Sequence, residues 1–269
     1  MKAEILSNQR VSDQYYKMEL GCPELTDEIK PGQFLMLKVK PGYEPYLRRP
    51  FSFYGIGSLR DQRSFEILYK VVGSGTRLLA ELKHGERVDI IAPLGNGFSF
   101  FSDTPEAVMV AGGIGLPPLL YLAEYMRKNR KEGSKTIFLY GGQSKSDMID
   151  IERIKDASSE ARVCTEDGSL GEKMLVTELL ELHLQRRGDR SSIQIFSCGP
   201  KAMLRVVSSI AKKYDISCQV SLESYMACGF GVCLGCVVKV MQEEGMDVTY
   251  ERVCKEGPVF ESKRIIWDE

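Results

Sequence analysis

Four cysteines toward the C-terminal end of the chain carry its most specific chemistry. Cys228, Cys233 and Cys236 follow the spacing C-x4-C-x2-C, and a fourth thiol, Cys254, lies well downstream. This is the ligand spacing of a plant-type 2Fe-2S cluster. A loop wrapped round a small inorganic core must bring its backbone close to the sulfides, with amide N–H groups turned inward. Gly229, Gly231 and Gly235 permit that, because glycine holds no side chain in the way and tolerates positive φ. Tetrahedral zinc is the leading rival, with two C-x2-C pairs or added histidines as its usual signature. Here the downstream partner is a single cysteine, and neither His84 nor His183 is close in sequence. Buried free thiols are the plainer alternative; spacing and glycine content favour iron and sulfur.

Two glycine runs suggest a nucleotide. Gly112-Gly113-Ile114-Gly115 follows a continuous apolar strand and opens a helix, so backbone N–H groups and the positive end of the helix dipole would favour a pyrophosphate there. A tight strand-to-helix turn without ligand also wants glycine, and the run is not the G-x-G-x-x-G dehydrogenase fingerprint. Ser197-Cys198-Gly199-Pro200 closes another strand of the same kind. Ligands bind beyond the carboxyl ends of strands in α/β sheets, so both motifs are expected to face one crevice. A plain helix start is the other reading of Gly199-Pro200.

The N-terminal third offers a second anion site. Arg48-Arg49-Pro50-Phe51-Ser52 sets two guanidinium forks, which suit phosphate oxygens, beside a strand carrying a hydroxyl; a solvated basic turn is the alternative. Gly73-Ser74-Gly75-Thr76 precedes a helix and offers another anion-binding N-terminus. Between them, Tyr69 in Leu68-Tyr69-Lys70 has a ring that either packs on a flavin or packs in the core. His84 precedes a glycine turn and His183 ends a helix, so both are expected to face solvent. No nucleophile elbow, metal-hydrolase spacing or P-loop is found. That suits electron transfer, which needs bound cofactors more than an acid-base pair.

These residues call for two kinds of scaffold. Up to about residue 94 the pattern predicts antiparallel strands over 2–7, 14–20, 33–39, 51–55, 65–71 and 86–91, separated by turns at Lys30-Pro31-Gly32, Lys40-Pro41-Gly42 and His84-Gly85. Strands at this spacing predict a small barrel, interrupted by one helix over 76–83 with Thr76 as N-cap. Beyond Gly97 the pattern alternates. Strands are predicted over 107–111, 136–140, 162–165 and 192–197, with helices over 116–130, 151–156, 172–184 and 201–214, as in a parallel sheet covered on both faces. From about residue 219 the chain is rich in glycine and cysteine, with a hairpin predicted to turn at Glu243-Glu244-Gly245. So small a tail buries little core of its own, and a metal is expected to hold it.

Composition excludes other classes. With 269 residues, 43% hydrophobic and 27% charged, the chain has room for two or three domains of ordinary soluble type. A net charge of −1 without a basic run leaves no nucleic-acid footprint. No apolar stretch approaches the ~20 residues that span a bilayer, and the start lacks the layout of a signal peptide. No nucleic acid, no membrane and a cytoplasmic location are therefore expected. Eight cysteines in such a chain argue for metal or redox use rather than disulfides; Cys22, Cys164, Cys198 and Cys218 are scattered and read as structural thiols.

Arg49-Pro50-Phe51-Ser52, Leu68-Tyr69-Lys70, Gly75-Thr76, Gly112-Gly113-Ile114-Gly115 and Cys198-Gly199-Pro200 resemble, in order, the motifs of the ferredoxin-NADP reductase superfamily. Within it, residues 228–236 and the ending Val253-Cys254-Lys255-Glu256-Gly257-Pro258-Val259-Phe260 are similar to one branch, the electron transfer subunits of dihydroorotate dehydrogenase B. The resemblance implies a multidomain α/β and β protein. Its parts would be an antiparallel β-barrel FAD domain (1–97), a parallel α/β NAD-binding domain (98–218) and a small C-terminal 2Fe-2S domain (219–269). It further implies that Arg49, Pro50, Phe51, Ser52, Leu68, Tyr69, Lys70, Gly75 and Thr76 line FAD, with Ser52 near the flavin ring and Gly75-Thr76 near the pyrophosphate. Gly112, Gly113, Gly115, Cys198, Gly199 and Pro200 would hold NAD, and Cys228, Cys233, Cys236 and Cys254 the cluster.

The partner so implied is a separate FMN-containing catalytic subunit that oxidises dihydroorotate to orotate, joined in a heterotetramer. Nicotinamide exchanges two electrons at once and a cluster one, so the flavin must stand between them. The cysteine loop is then expected to face the partner, and the apolar Gly229-Phe230-Gly231-Val232 suits such an interface. NAD rather than NADP is implied by the family. Glu166 and Asp167 would repel a 2′-phosphate, while Lys145 would attract one. The alternative is the flavin and iron-sulfur subunit of an NAD(P)H-dependent ferredoxin, sulfide or hydrogenase-linked reductase. Some of those relatives replace a cluster cysteine by aspartate, and the four cysteines favour the first reading. A binding module that keeps the fold without flavin is the third, against which Arg49, Ser52, Gly75 and Thr76 speak.

Overall fold

The computed structural model describes residues 1–26, 28–39, 45–59, 62–100, 104–188, 190–242 and 247–267. The turns expected at Lys40-Pro41-Gly42 and Glu243-Glu244-Gly245 lie outside the described residues. The N-terminal part holds seven strands, β1 (Lys2–Arg10), β2 (Tyr15–Gly21), β3 (Phe34–Lys38), β4 (Arg49–Ser52), β5 (Gly55–Leu59), β6 (Gln62–Lys70) and β7 (Arg87–Leu94). They pair antiparallel in the order β4-β3-β7-β1-β2-β6-β5.

The two edge strands of that order, β4 and β5, are consecutive in the chain and separated only by the buried Phe53 and Tyr54. The ends of the sheet therefore meet, and it curls into a barrel around Ile5, Met18, Leu20, Leu35, Leu37, Phe65 and Ile67. The single strand expected over 51–55 is broken at this corner, where the Phe53 N–H donates to Gln33 O and the Tyr54 N–H to Glu66 O at 2.8 Å. A one-turn helix, α1 (Pro23–Thr26), was not expected, since four residues carry no readable period. The barrel's longer helix, α2 (Ser74–Glu81), starts earlier than expected with Gly73 as its cap. Thr76 is thus inside the first turn, where its hydroxyl accepts from the N–H groups of Val72 (2.9 Å) and Gly73 (3.2 Å).

The second part alternates β8 (Glu106–Gly112), α3 (Leu116–Asn129), β9 (Lys135–Gly142), α4 (Ile151–Ala157), β10 (Glu160–Thr165), β11 (Glu172–Lys173), α5 (Val176–Gln185), β12 (Ile193–Cys198), α6 (Lys201–Lys213) and β13 (Ser217–Ser221). β8 and β12 are buried along their whole length, as central parallel strands are. The helix expected over 172–184 is shorter, because residues 172–173 pair with β10 before α5 begins.

Three strands complete the chain, β14 (Val237–Met241), β15 (Val248–Arg252) and β16 (Val259–Glu261). β14 and β15 form a hairpin, whereas β16 pairs antiparallel with β13. The nucleotide sheet accordingly reads β11-β10-β9-β8-β12-β13-β16. The boundary expected after residue 218 falls inside β13. Cys236, Val240, Val253, Cys254, Phe260 and Ile265 share one core with Phe34 and Met36 of the barrel and Cys218 and Val220 of the sheet, and Trp267 packs against it. The C-terminal segment is thus seated by apolar contact and strand pairing as well as by any metal.

Polar contacts lock the barrel to the sheet domain. Arg153 pairs with Glu66 at 2.7 Å and Glu124 at 2.6 Å, and lies 4.5 Å over the Tyr54 ring. Asp147 takes hydrogen bonds from Tyr15 (2.8 Å) and Lys70 (3.0 Å). His183, expected to face solvent, is 5% exposed, because it continues the buried stripe of Val176, Leu179 and Leu180 on α5. Its Nε2 lies 3.1 Å from Glu106, which also meets Arg187 at 2.8 Å.

The hydrogen bond to His183 and the nearby Arg187 outweigh burial and lower the Glu106 pKa from its usual 4.5. A depressed carboxylate contributes stability above its unfolded pKa and loses it as pH falls through the folded value. Glu106→Gln is therefore expected to cost about 2 kcal/mol at neutral pH. Urea midpoints of the two proteins should converge as pH drops below 4.5; a gap that persists unchanged into acid would contradict this account.

Candidate functional site

The strand order of the sheet reverses direction between β8 and β12, which makes their carboxyl ends the place for a ligand. Gly112 ends β8, Gly113 turns with φ +52°, and α3 follows Gly115 with Pro117 and Pro118 in its first turn. A side chain on Gly115 would run into the carbonyl of Cys198 and come within 2.7 Å of the Gly199 nitrogen. One on Gly199 would meet the Gly112 nitrogen at 3.1 Å. The two runs are thus stacked against each other at the N-termini of α3 and α6, as a shared crevice requires.

Burial pushes the Cys198 thiol well above its usual pKa. Sequence reasoning missed Glu223, just beyond the end of β13 and close enough to Cys198 to add to that rise. Its side chain keeps a surface to solvent, yet desolvation pushes its own pKa up. Nothing local marked it, because β13, whose end places it there, does not read as a strand in the sequence. At the ends of β9 and β10 the two loops are stitched together. Lys145 N–H donates to Ser169 Oγ at 2.7 Å, and the Asp167 carboxylate accepts from the Ser169 N–H (2.9 Å) and hydroxyl (2.6 Å).

In the barrel, the Arg49 guanidinium lies over the first turn of α2. A side chain on Gly75 would come within 3.1 Å of Arg49 Nε. A cation and a helix N-terminus therefore converge on one spot, which suits a diphosphate. Arg48 is not part of it, being held by Asp89 at 2.6 Å. Pro50, Phe51 and Ser52 are half-buried along β4.

The Tyr69 ring does not lie at the surface, where a flavin would stack on it. It is 1% exposed inside the barrel, stacked on Tyr16 at 5.7 Å, edge-on to Phe51 at 5.9 Å, with its hydroxyl donating to Asn8 at 2.9 Å. Strand alternation explains this: Leu68 is buried on the opposite face of β6, among the residues of the sheet domain. Lys70 is drawn to Asp147.

The four C-terminal thiols lie as two pairs. Cys228 and Cys233 share one loop, where the Cys233 N–H points at Cys228 Sγ and the Gly235 N–H at Cys233 Sγ, each at 3.5 Å. Cys236 and Cys254 are buried neighbours, joined where the Val253 N–H donates to Cys236 O at 2.9 Å. Burial acts to raise the Cys228 pKa, but the N–H groups of Cys233, Phe230 and Val232 outweigh it and hold the thiol at about 6. Burial first, and Cys236 second, push Cys254 up to about 12. Among the described residues no three His, Cys, Asp or Glu side chains converge closely enough to hold a single ion.

Arg252, which sequence reasoning also missed, ties the halves together by donating to Gly231 O at 2.8 Å while pairing with Glu256. Around the loop, Phe230, Val232 and Leu234 are exposed.

The iron-sulfur cluster binding domain of dihydroorotate dehydrogenase B matches residues 223–266, and an oxidoreductase NAD-binding domain matches residues 109–209. The chain is similar to the dihydroorotate dehydrogenase B (NAD(+)) electron transfer subunit of Caldanaerobacter subterraneus subsp. tengcongensis, 36% identical over 99% of this chain and 98% of the relative. The same subunit of Desulforamulus reducens is 33% identical over 99% and 98%. Among solved structures, an NADH-dependent reduced ferredoxin-NADP oxidoreductase superposes with a TM-score of 0.83 and 24% identity, covering 98% of this chain and 90% of that one. A ferredoxin NADP+ reductase from Neisseria gonorrhoeae with bound FAD and NADP gives 0.62 and 18%, covering 80% and 91%. The expected reductase fold is borne out by these superpositions.

Two substitutions test the separate sites. Cys233→Ala is expected to remove the visible bands of a cluster and loosen the C-terminal segment while flavin stays bound; flavin lost together with the cluster would contradict independent sites. Arg49→Ala removes the cation over α2 and is expected to weaken flavin retention on gel filtration by roughly tenfold or more. Unchanged flavin content would sink the assignment.

Proposed function

The chain belongs to the family of dihydroorotate dehydrogenase B (NAD(+)) electron transfer subunits, and from that membership we propose its work in the cell. It is an oxidoreductase subunit of pyrimidine biosynthesis, carrying electrons from the FMN of a separate dihydroorotate-oxidising catalytic subunit, through a 2Fe-2S cluster and FAD, to NAD+. The observation that carries this reading is the paired set of four thiols seated between barrel and sheet. A 2Fe-2S cluster would be held by four thiolates, and Cys228 with Cys233 and Cys236 with Cys254 are the proposed ligand pairs. When bound, FAD exchanges two electrons with nicotinamide and single electrons with the cluster.

The proposed segments are 1–97 for FAD, 98–218 for NAD and 219–269 for the cluster. Arg49 and the α2 N-terminus at Gly75 and Thr76 are proposed to neutralise the FAD diphosphate, with Pro50, Phe51 and Ser52 along the flavin. Leu68, Tyr69 and Lys70 are proposed to serve that site through their backbone, with the Tyr69 ring buttressing Phe51. Gly112, Gly113 and Gly115 with Cys198, Gly199 and Pro200 are proposed to admit the NAD pyrophosphate and nicotinamide, and the carboxylates of Glu166 and Asp167 to disfavour a 2′-phosphate.

Among the described residues no helix is long and apolar enough to cross a membrane. A cytoplasmic location is the proposed one, supported by eight cysteines that are all free. The proposed assembly is a heterotetramer with the catalytic subunit.

A pull-down of the tagged chain from its native cells, with absorbance spectra and mass spectrometry, tests the reading. The expected result is an FMN-binding, dihydroorotate-oxidising partner with flavin and 2Fe-2S bands. A ferredoxin, hydrogenase or sulfide-linked partner would overturn the pathway while leaving the cofactors in place.

A further inference from the structure

The cysteine loop reaches the barrel at Gly229. Gly229, next to Cys228 and with φ +82°, lies directly on the side chain of Met36 in β3. A Cβ on Gly229 would run into Met36 Cγ and stand 2.9 Å from its sulfur, so the loop or the buried thioether would have to give way. Met36 is fully buried at this junction.

Its cross-strand partner is Pro50, and that of Phe34 is Ser52. Directly paired residues project to the same face, so Phe34, Met36, Pro50 and Ser52 share the outer face of the barrel. Phe34 and Met36 belong to the core shared with the C-terminal segment, while the intervening Leu35 belongs to the barrel interior. One side-chain layer therefore separates the thiol loop from the strand proposed to carry the flavin.

We propose that Met36 and Gly229 are positioning residues that set the gap between the flavin and the cluster, the bare glycine letting the loop close onto the thioether so that single electrons cross one packed layer. This rests on the assignment of FAD to the Arg49–Ser52 strand. In the direction driven by NADH, hydride transfer brings two electrons and a proton to the flavin; one electron then leaves it and turns one ferric iron of the cluster ferrous. Neither Met36 nor Gly229 exchanges a proton or an electron.

The test uses the full chain with both cofactors bound, mixed anaerobically with NADH. Flavin bleaching reports the hydride step, and the EPR signal of the reduced cluster reports the next one. Gly229→Ala and Met36→Ala are expected to bleach flavin at the wild-type rate and keep the cluster's EPR line shape. Cluster reduction should slow severalfold, since electron tunnelling weakens with each added ångström of gap. Met36→Leu, which conserves volume, should stay near wild type.

Pulsed EPR between the one-electron-reduced flavin and the reduced cluster should read a longer distance in Gly229→Ala. If that variant assembles no cluster, Met36→Ala decides. Cluster reduction at the wild-type rate in Met36→Ala, with both cofactors bound, overturns the inference and leaves the function intact. A wild-type chain that holds no flavin overturns the assignment beneath it.

Discussion

The pairing of β16 with β13 is the constraint on which the cysteine site depends. Ser221 and Val259 are partners across that ladder, so the segment between them, with all four paired thiols, leaves the sheet and returns to it at neighbouring points. Closing a loop costs entropy that grows with its length. Here the ladder and the core around Val253, Phe260 and Ile265 meet that cost before any metal binds. Asn96 adds a brace from the barrel, its side chain donating to Glu256 O at 2.8 Å and its backbone N–H to Gly257 O at 2.6 Å. The loop is consequently presented as a nearly formed set of sulfurs and inward N–H groups rather than as a free tail.

The same closure decides how the parts face one another. With the last strand on the edge of the nucleotide sheet and Gly229 on Met36, the C-terminal segment bridges barrel and sheet from one side. Arg153, Asp147 and their partners clamp them through α4 and the segment before it. Such polar contacts add little net stability for their desolvation cost, but they fix orientation. For a protein whose work is to move electrons between bound groups, orientation and spacing matter more than any acid or base. That explains why the informative residues are glycines, buried thioethers and backbone N–H groups.

Features set by local sequence were readable. The C-x4-C-x2-C spacing, the apolar run of β8 and the proline-led start of α3 each announce themselves within a few residues. What escaped was set by partners distant in the chain. Ser217-Cys218-Gln219-Val220-Ser221 has too few apolar residues to look like a strand, and becomes one only between β12 and a β16 that the sequence places far downstream. Phe53 and Tyr54 read as strand because they are aromatic and apolar, yet they turn the corner that closes the barrel. Tyr69 was legible as either core or flavin platform; strand alternation puts its ring inside. His183 looked like a solvent-facing helix end because Glu106, its partner, is invisible from the helix alone.

Glycines show the limit most clearly. Gly112, Gly115 and Gly199 were singled out as a phosphate-binding surface, and the structure adds a packing reason for each, since a side chain at any of them would strike the neighbouring strand end or helix. A glycine needed for packing and one needed for ligand approach look alike in sequence. They separate only in what occupies the missing Cβ position: open space at Gly113, protein at Gly115, and Met36 at Gly229. Gly113, with φ +52° and open space where a Cβ would stand, leaves room for a ligand to approach its backbone. Gly115 and Gly229 instead draw two pieces of chain together. Of the three, Gly113 alone leaves room at the Cβ position for a ligand to approach, while the other two set how closely two pieces of chain can pack.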